Sequence, residues 1–208
     1  MLIPTRRSAL AGLLSAPALA ACGNGARPAG PVPDDMILGN PAAKVTVVEY
    51  ASVACPVCGR WFKEVWPAFK AKYVDTGRVK YVAREMLVGD ATETAIAATG
   101  FLLARCAGKD RYFQVTDAIY ASQPGLYDDP RGALLTIAKR FGFSEAQFDA
   151  CVRNEAALNA LSARVARNEK LGQVNATPTF IVNGQALEAG YQPLSALDAA
   201  IARAESGK

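Results

Sequence analysis

The 208-residue chain is 51% hydrophobic, which suits one well-packed domain with an insertion and falls short of several independent domains. Its 23 Lys and Arg against 19 Asp and Glu give +4, and Arg6 and Arg7 supply two of those charges from a segment expected to be removed, so no concentrated basic patch remains for nucleic acid. Histidine is absent, which excludes every Ser-His-Asp or Cys-His arrangement and every metal site that needs imidazole.

Proton transfer must therefore fall to carboxylates, amines, thiols or water. Five cysteines, at positions 22, 55, 58, 106 and 151, form an odd set read as one processing cysteine, one redox pair and one distant pair. Met1 to Ala21 opens on Thr5-Arg6-Arg7, continues through a run rich in Ala and Leu and ends in small residues, the pattern of an export signal over 1–21. Gly12 and Pro17 interrupt it, so it is a poor membrane span. The paired arginines resemble a twin-arginine signal, with Ala9 where that pattern has a bulky apolar residue; general secretory export is the alternative.

Leu19-Ala20-Ala21-Cys22 matches the lipobox of bacterial lipoproteins, which would lipidate Cys22 and anchor the exported chain to a membrane in the periplasm. Ordinary cleavage after Ala18-Leu19-Ala20 is the competing reading and would leave Cys22 a spare thiol. Residues 22–35, rich in Pro and Gly, read as a flexible tether.

Lys44 to Tyr50 is β-branched and alternating, so it reads as a strand. Glu49 interrupts its apolar set, either as an exposed strand carboxylate or as a buried acid that takes the Cys58 proton. Cys55-Pro56-Val57-Cys58 follows at the start of a helix whose apolar positions are Trp61, Phe62, Val65, Trp66, Phe69 and Tyr73. Pro56 suits the first helical position, Pro67 should kink the helix, and Cys55 would sit where unpaired backbone N–H groups favour a thiolate. After Gly77, Val79 to Arg84 is a second strand, giving a right-handed parallel unit.

Residues 90–171 carry helix signals. Thr92 to Ala107 places Ile96, Leu103 and Cys106 on one inward face. Asp129-Pro130 caps a helix with Leu134, Ile137 and Phe141 buried, and Ser144 with Gln147 forms a capping box for the helix carrying Cys151 inward. A further helix, with Leu158, Leu161 and Val165 inward, runs to Gly172. Cys106 and Cys151 form either a structural disulfide, natural in an oxidising compartment, or two buried free thiols. The chain returns to a strand at Thr179 to Val182, an Asn183-Gly184 hairpin into Gln185 to Leu187, and a last helix from Gln192-Pro193 with Leu194, Leu197 and Ile201 inward.

Cys-Pro-Val-Cys after an apolar strand, a helical insert, and Thr177-Pro178-Thr-Phe-Ile-Val-Asn-Gly far downstream resemble the DsbA family of thioredoxin-fold thiol:disulfide oxidoreductases. The resemblance implies an α/β thioredoxin fold over 36–208, with sheet parts about 36–89 and 172–208 and a helical insertion about 90–171. It implies that Cys55 attacks, Cys58 resolves, Glu49 is the buried acid, and Thr177–Pro178 is a cis bond that keeps a strand edge open to an extended substrate. The cofactor would be none beyond the Cys55–Cys58 disulfide, with no metal. Partners would be unfolded or reduced exported proteins and a membrane redox partner.

The departure is Val57, where strongly oxidising members carry His. A disulfide-forming oxidase remains the first expectation; an envelope reductase or isomerase, or a lipid-anchored Cu(I) chaperone using the Cys pair, are the alternatives.

Overall fold

The computed structural model describes residues 30–172 and 174–207; the expected export signal and Cys22 lie outside the described residues. Among them a five-stranded sheet has the order β1-β3-β2-β4-β5, from β1 (Met36–Gly39), β2 (Val45–Ala51), β3 (Val79–Glu85), β4 (Thr179–Val182) and β5 (Gln185–Ala186). β2 runs parallel to β3 and antiparallel to β4, which makes it the central strand. All seven of its residues are buried. The strand read from the sequence is present and has no open face: Val45 and Val47 pack on one side with Trp61, Phe69, Phe180 and Leu197, and Val48 and Tyr50 on the other with Val82, Met86 and Ile181. Both faces are covered, as parallel pairing through a crossover helix requires.

That helix is broken where Pro67 predicted. α1 (Pro56–Glu64) stops at Val65, α2 (Trp66–Phe69) restarts with Pro67 in its first turn, and a π-helical turn (Lys70–Val74) completes it. Pro67 has no N–H to return to the Lys63 carbonyl, so the hydrogen-bond ladder cannot run through. Gly77, at φ 71, turns the chain into β3.

The insert holds α3 (Ala91–Cys106), α4 (Lys109–Ala121), α5 (Gln123–Leu126), α6 (Pro130–Arg140), α7 (Glu145–Val152) and α8 (Glu155–Gly172), and α9 (Leu194–Glu205) follows the hairpin. Asp129 caps α6 by accepting from the Gly132 N–H at 2.9 Å, and Ser144 with Gln147 forms the expected box on α7. β1, α4 and α5 were not expected individually. Two inward placements are corrected. Leu158 is 41% exposed, because α8 buries Leu161, Val165 and Asn168 along a narrower stripe. Cys106 is exposed, because it is the last residue of α3, where that helix emerges from the insert core. Its sulfur is nevertheless bonded to that of buried Cys151 on α7, across a Cα separation of 5.9 Å. The last hairpin strand ends at Ala186, one residue short of the expected Leu187.

Arg84 and Glu85, at the end of β3, join the insert and the N-terminal segment to the sheet. Arg84 is buried, pairs with buried Asp35 at 3.0 Å and also donates to the Tyr50 hydroxyl. Glu85 accepts from Arg105 of α3 at 2.6 Å, Arg164 of α8 at 2.7 Å and the Tyr112 hydroxyl of α4 at 3.2 Å. Buried charges survive only when hydrogen-bonded this fully, so these bonds hold three helices in register with the sheet. No helix among the described residues is long and apolar enough to cross a membrane.

Candidate active site

β2 delivers the chain to Ser52, whose carbonyl accepts from the Cys55 N–H at 3.1 Å and whose hydroxyl accepts from the Ala54 N–H at 3.3 Å. This turn leaves Cys55 extended, at φ −67 and ψ 122, as the N-cap of α1, with Pro56 in the first turn. Three loop carbonyls accept hydrogen bonds from the insert, that of Cys55 in addition to the one it accepts from the Gly59 N–H at 3.0 Å. The Gln123 amide donates to the Val53 carbonyl at 2.8 Å and to that of Cys55 at 3.0 Å, and the Tyr127 hydroxyl donates to that of Ala54. Gly59 makes this approach possible: a Cβ there would meet the Gln123 Oε1 at 1.8 Å.

Cys55 and Cys58 are both free thiols, nearly or fully buried at 9% and 1% exposure. The Cys55 Sγ lies 3.5 Å from the Thr177 carbonyl, an acceptor for the protonated thiol. The cis Thr177–Pro178 bond thus stands against the dithiol as expected. The Cys55 thiol is brought down to about 6, chiefly by the hydrogen bond from Cys58, opposed by burial, and helped by the Thr177 hydroxyl and the backbone N–H groups of Cys58 and Val57. The last two are the unpaired donors of the α1 N-terminus. Cys58 goes the other way: burial first, then Cys55 and Glu49, push it well above the ordinary thiol value. One sulfur is therefore ionised at neutral pH while the other keeps its proton, which is the division of labour that exchange needs.

Glu49 is 5% exposed, so of its two readings the buried one matches its place in the sheet. It shares the β2 face of Val45 and Val47, and burial pushes its carboxyl up to about 7 against a hydrogen bond donated by the Tyr81 hydroxyl. Toward Cys58 its influence is electrostatic. Val57 is 41% exposed and carries no charge to the thiolate. Of the aromatic residues of α1, Trp61 packs on Phe180, while Phe62 stacks on Tyr120 of α4 with ring centroids 4.7 Å apart and lines a groove with Pro56, Pro124 and Tyr127. Among the described residues no group of three or more His, Cys, Asp or Glu side chains is placed to hold a metal ion.

Sequence reasoning brought Cys55, Cys58, Glu49, Thr177 and Pro178 to one place, and the structure puts them there. It missed Gln123, Tyr127, Gly59 and Tyr81. A glycine one residue past the second cysteine in an otherwise bulky helix was the available signal for a close approach; for Gln123 and Tyr127 there was none.

Residues 32–202 match the family model described as Thioredoxin. A Rickettsia conorii protein named, provisionally, as a protein-disulfide oxidoreductase is 33% identical over 174 residues, 82% of this chain and 60% of that one, so the chain spans about three-fifths of that relative's length. The crystal structure of Wolbachia pipientis alpha-DsbA1 superposes with a TM-score of 0.74 at 24% identity, covering 85% of this chain and 94% of that one. A protein-disulfide isomerase from Novosphingobium aromaticivorans gives a TM-score of 0.67 at 25% identity over 82% and 97% of the two chains. The match over most of the chain shows that this chain belongs to the thioredoxin family, and the superposition on alpha-DsbA1 shows that the two share a fold.

Proposed function

We propose that the protein is a thiol:disulfide oxidoreductase acting on exported proteins through Cys55, with Cys58 as the resolving thiol. The observation that carries this reading is the opposed behaviour of the two sulfurs: Cys55 lowered to about 6 at a helix N-terminus and Cys58 raised, buried beside it. In the oxidising direction a substrate thiolate attacks the Cys55 sulfur of the Cys55–Cys58 disulfide, and Cys58 leaves and takes a proton from Glu49. A second substrate thiolate then displaces Cys55, whose low pKa makes it a good leaving group. Thr177, beside Pro178, offers its strand edge to an extended substrate, since Pro178 has no N–H to occupy that edge.

The sheet parts about 36–89 and 172–208 carry the chemistry, and the insert about 90–171, tied by Cys106–Cys151, shapes its surroundings. Export to the periplasm, lipidation at Cys22 and reoxidation by a membrane redox partner complete the reading, and no cofactor beyond the Cys55–Cys58 disulfide enters it. The test is oxidation of reduced ribonuclease by the full mature chain, with Cys55→Ser as control. Recovery of ribonuclease activity that Cys55→Ser abolishes is expected; equal recovery with both would overturn the assignment.

An uncharged, exposed Val57 favours a second reading, reduction or isomerisation of disulfides in the same compartment. Activity on scrambled but not on reduced ribonuclease would select it.

A further inference from the structure

Each half-reaction at Cys58 moves a proton. When Cys58 resolves a mixed disulfide, its Sγ bonds to the Cys55 Sγ, the Cys55–partner S–S bond breaks, and the partner sulfur leaves with the electron pair. Over both exchange steps the cysteine pair loses two electrons and the partner disulfide gains two; in this second step the Cys58 proton passes to the Glu49 carboxylate, and in reverse the proton returns. Glu49, 5% exposed, cannot exchange that proton directly with bulk water.

Between β2, β3 and α4 lies a cavity of about 30 Å³ whose polar lining includes Glu49, Tyr81, Arg84, Tyr112, Asp117 and Tyr120. That volume accommodates one or two water molecules, and these side chains supply the partners that water in such a space requires. Tyr120 lines the cavity and also packs against the cluster of Ala51, Cys55 and Cys58, so it stands between the two. At the other end stands Asp117, which is only half-buried and therefore meets both the cavity and solvent.

We propose that Asp117 relays protons between bulk water and Glu49 through this cavity. It is a positioning residue, because it acts through Glu49 and does not touch the sulfurs, and its assignment rests on the role proposed above for Glu49. The groups that face it are Glu49 from β2, Tyr81 and Arg84 from β3, Trp66 from α2, Lys70 from the π-helical turn, and Tyr112 and Tyr120 from α4 itself. Burial raises its carboxyl to about 6, against a hydrogen bond from Trp66 and the charge of Lys70. With Glu49 at about 7, both carboxyls gain and lose protons around neutrality, the condition under which acid–base groups hand protons on fastest.

The experiment follows the resolving step itself. The reduced full chain is mixed with oxidised glutathione, quenched in acid at intervals, and the Cys55–glutathione mixed disulfide is counted by mass from pH 5 to 9. Glu49→Gln and Asp117→Asn should each slow its disappearance about tenfold or more. Asp117→Glu should restore the rate to within about threefold, and the Cys55 pKa, read by thiolate absorbance at 240 nm, should not move in any Asp117 variant. Asp117→Ser gives the same comparison if Asp117→Asn does not fold. A slow Glu49→Gln with Asp117→Asn at the wild-type rate overturns the relay and leaves Glu49 in place. Glu49→Gln at the wild-type rate overturns both. Equal slowing in Asp117→Glu with a shifted Cys55 pKa makes Asp117 structural and overturns the relay.

Discussion

Replacing Val57 by His tests how the thiolate is held. Val57 is 41% exposed, so an imidazole fits without opening the core. An imidazolium ~5 Å from the thiolate in a half-exposed setting, at an effective dielectric of ~40, is worth ~1.7 kcal/mol, about one pKa unit. Starting from about 6, such a shift makes the reduced form ~9-fold more favourable at pH 7, which is ~1.3 kcal/mol or ~30 mV for a two-electron couple. The sign is fixed: a more stable thiolate favours the reduced enzyme, so Val57→His is the stronger oxidant. The assay is equilibration with glutathione buffers of known ratio at pH 7, with the reduced fraction read by alkylation and mass, alongside a 240 nm titration of Cys55. An unchanged or more negative potential, with the imidazole protonated, would refute the claim that this position tunes the couple.

Other consequences follow from the same geometry. With Cys55 at about 6 and Cys58 raised, the potential of the wild-type couple should fall by about 59 mV per pH unit below pH 6 and by about 30 mV above it; a single slope from pH 4 to 8 contradicts the ionised Cys55. Burial raises Glu49 from 4.5 to about 7, so its ionisation works against folding progressively between those values. Glu49→Gln should therefore be more stable than the wild type by about 3 kcal/mol at pH 8 and no more stable below pH 4.5, as read from urea unfolding. Joint replacement of Cys106 and Cys151 by Ala opens a 45-residue loop and should lower stability by up to about 4 kcal/mol, measured by urea unfolding, while leaving the Cys55 pKa unchanged. Gly59→Ala drives a methyl into the Gln123 amide, stripping its bonds from the Val53 and Cys55 carbonyls and leaving only the latter with a partner, the residue 59 N–H; a loss of about 1–3 kcal/mol is expected, and Gln123→Leu should reproduce it.

The dithiol, the cis proline and the parallel β2–β3 unit were legible because each has a local signature: Cys-Pro-Val-Cys between a strand and a helix, Thr-Pro before a strand and an Asn-Gly turn, and a helix between two apolar strands. Pro67 and the Ser144 to Gln147 box were legible for the same reason, since a missing N–H and a cap act within one turn. Glu49 was readable in principle. Val47 and Val48, adjacent and both apolar, already place apolar side chains on both faces of β2, and a strand buried on both faces leaves no exposed position for a carboxylate. Tyr81 was not legible, because its bond to Glu49 depends on the pairing of β2 with β3; nor were Gln123, Tyr127 and Asp117, because what matters about each is where helices of the insert meet the sheet. That docking is decided by long-range bonds such as Glu85 to Arg105 and Arg164, between residues 20 and 79 positions apart, which no local pattern encodes. Cys106 was misplaced by the same limit: helical spacing says which face a residue occupies, not where along its length a helix leaves the core.

The central claim is that Cys55 and Cys58 form the redox centre while Cys106–Cys151 stands apart from it. Titration of the full mature chain through a series of glutathione buffers, with each cysteine's state assigned by alkylation and peptide mass, tests this most directly. One reversible two-electron transition confined to Cys55 and Cys58, with Cys106 and Cys151 joined throughout, is the predicted result. A transition at Cys106–Cys151, or none at Cys55–Cys58, would contradict it.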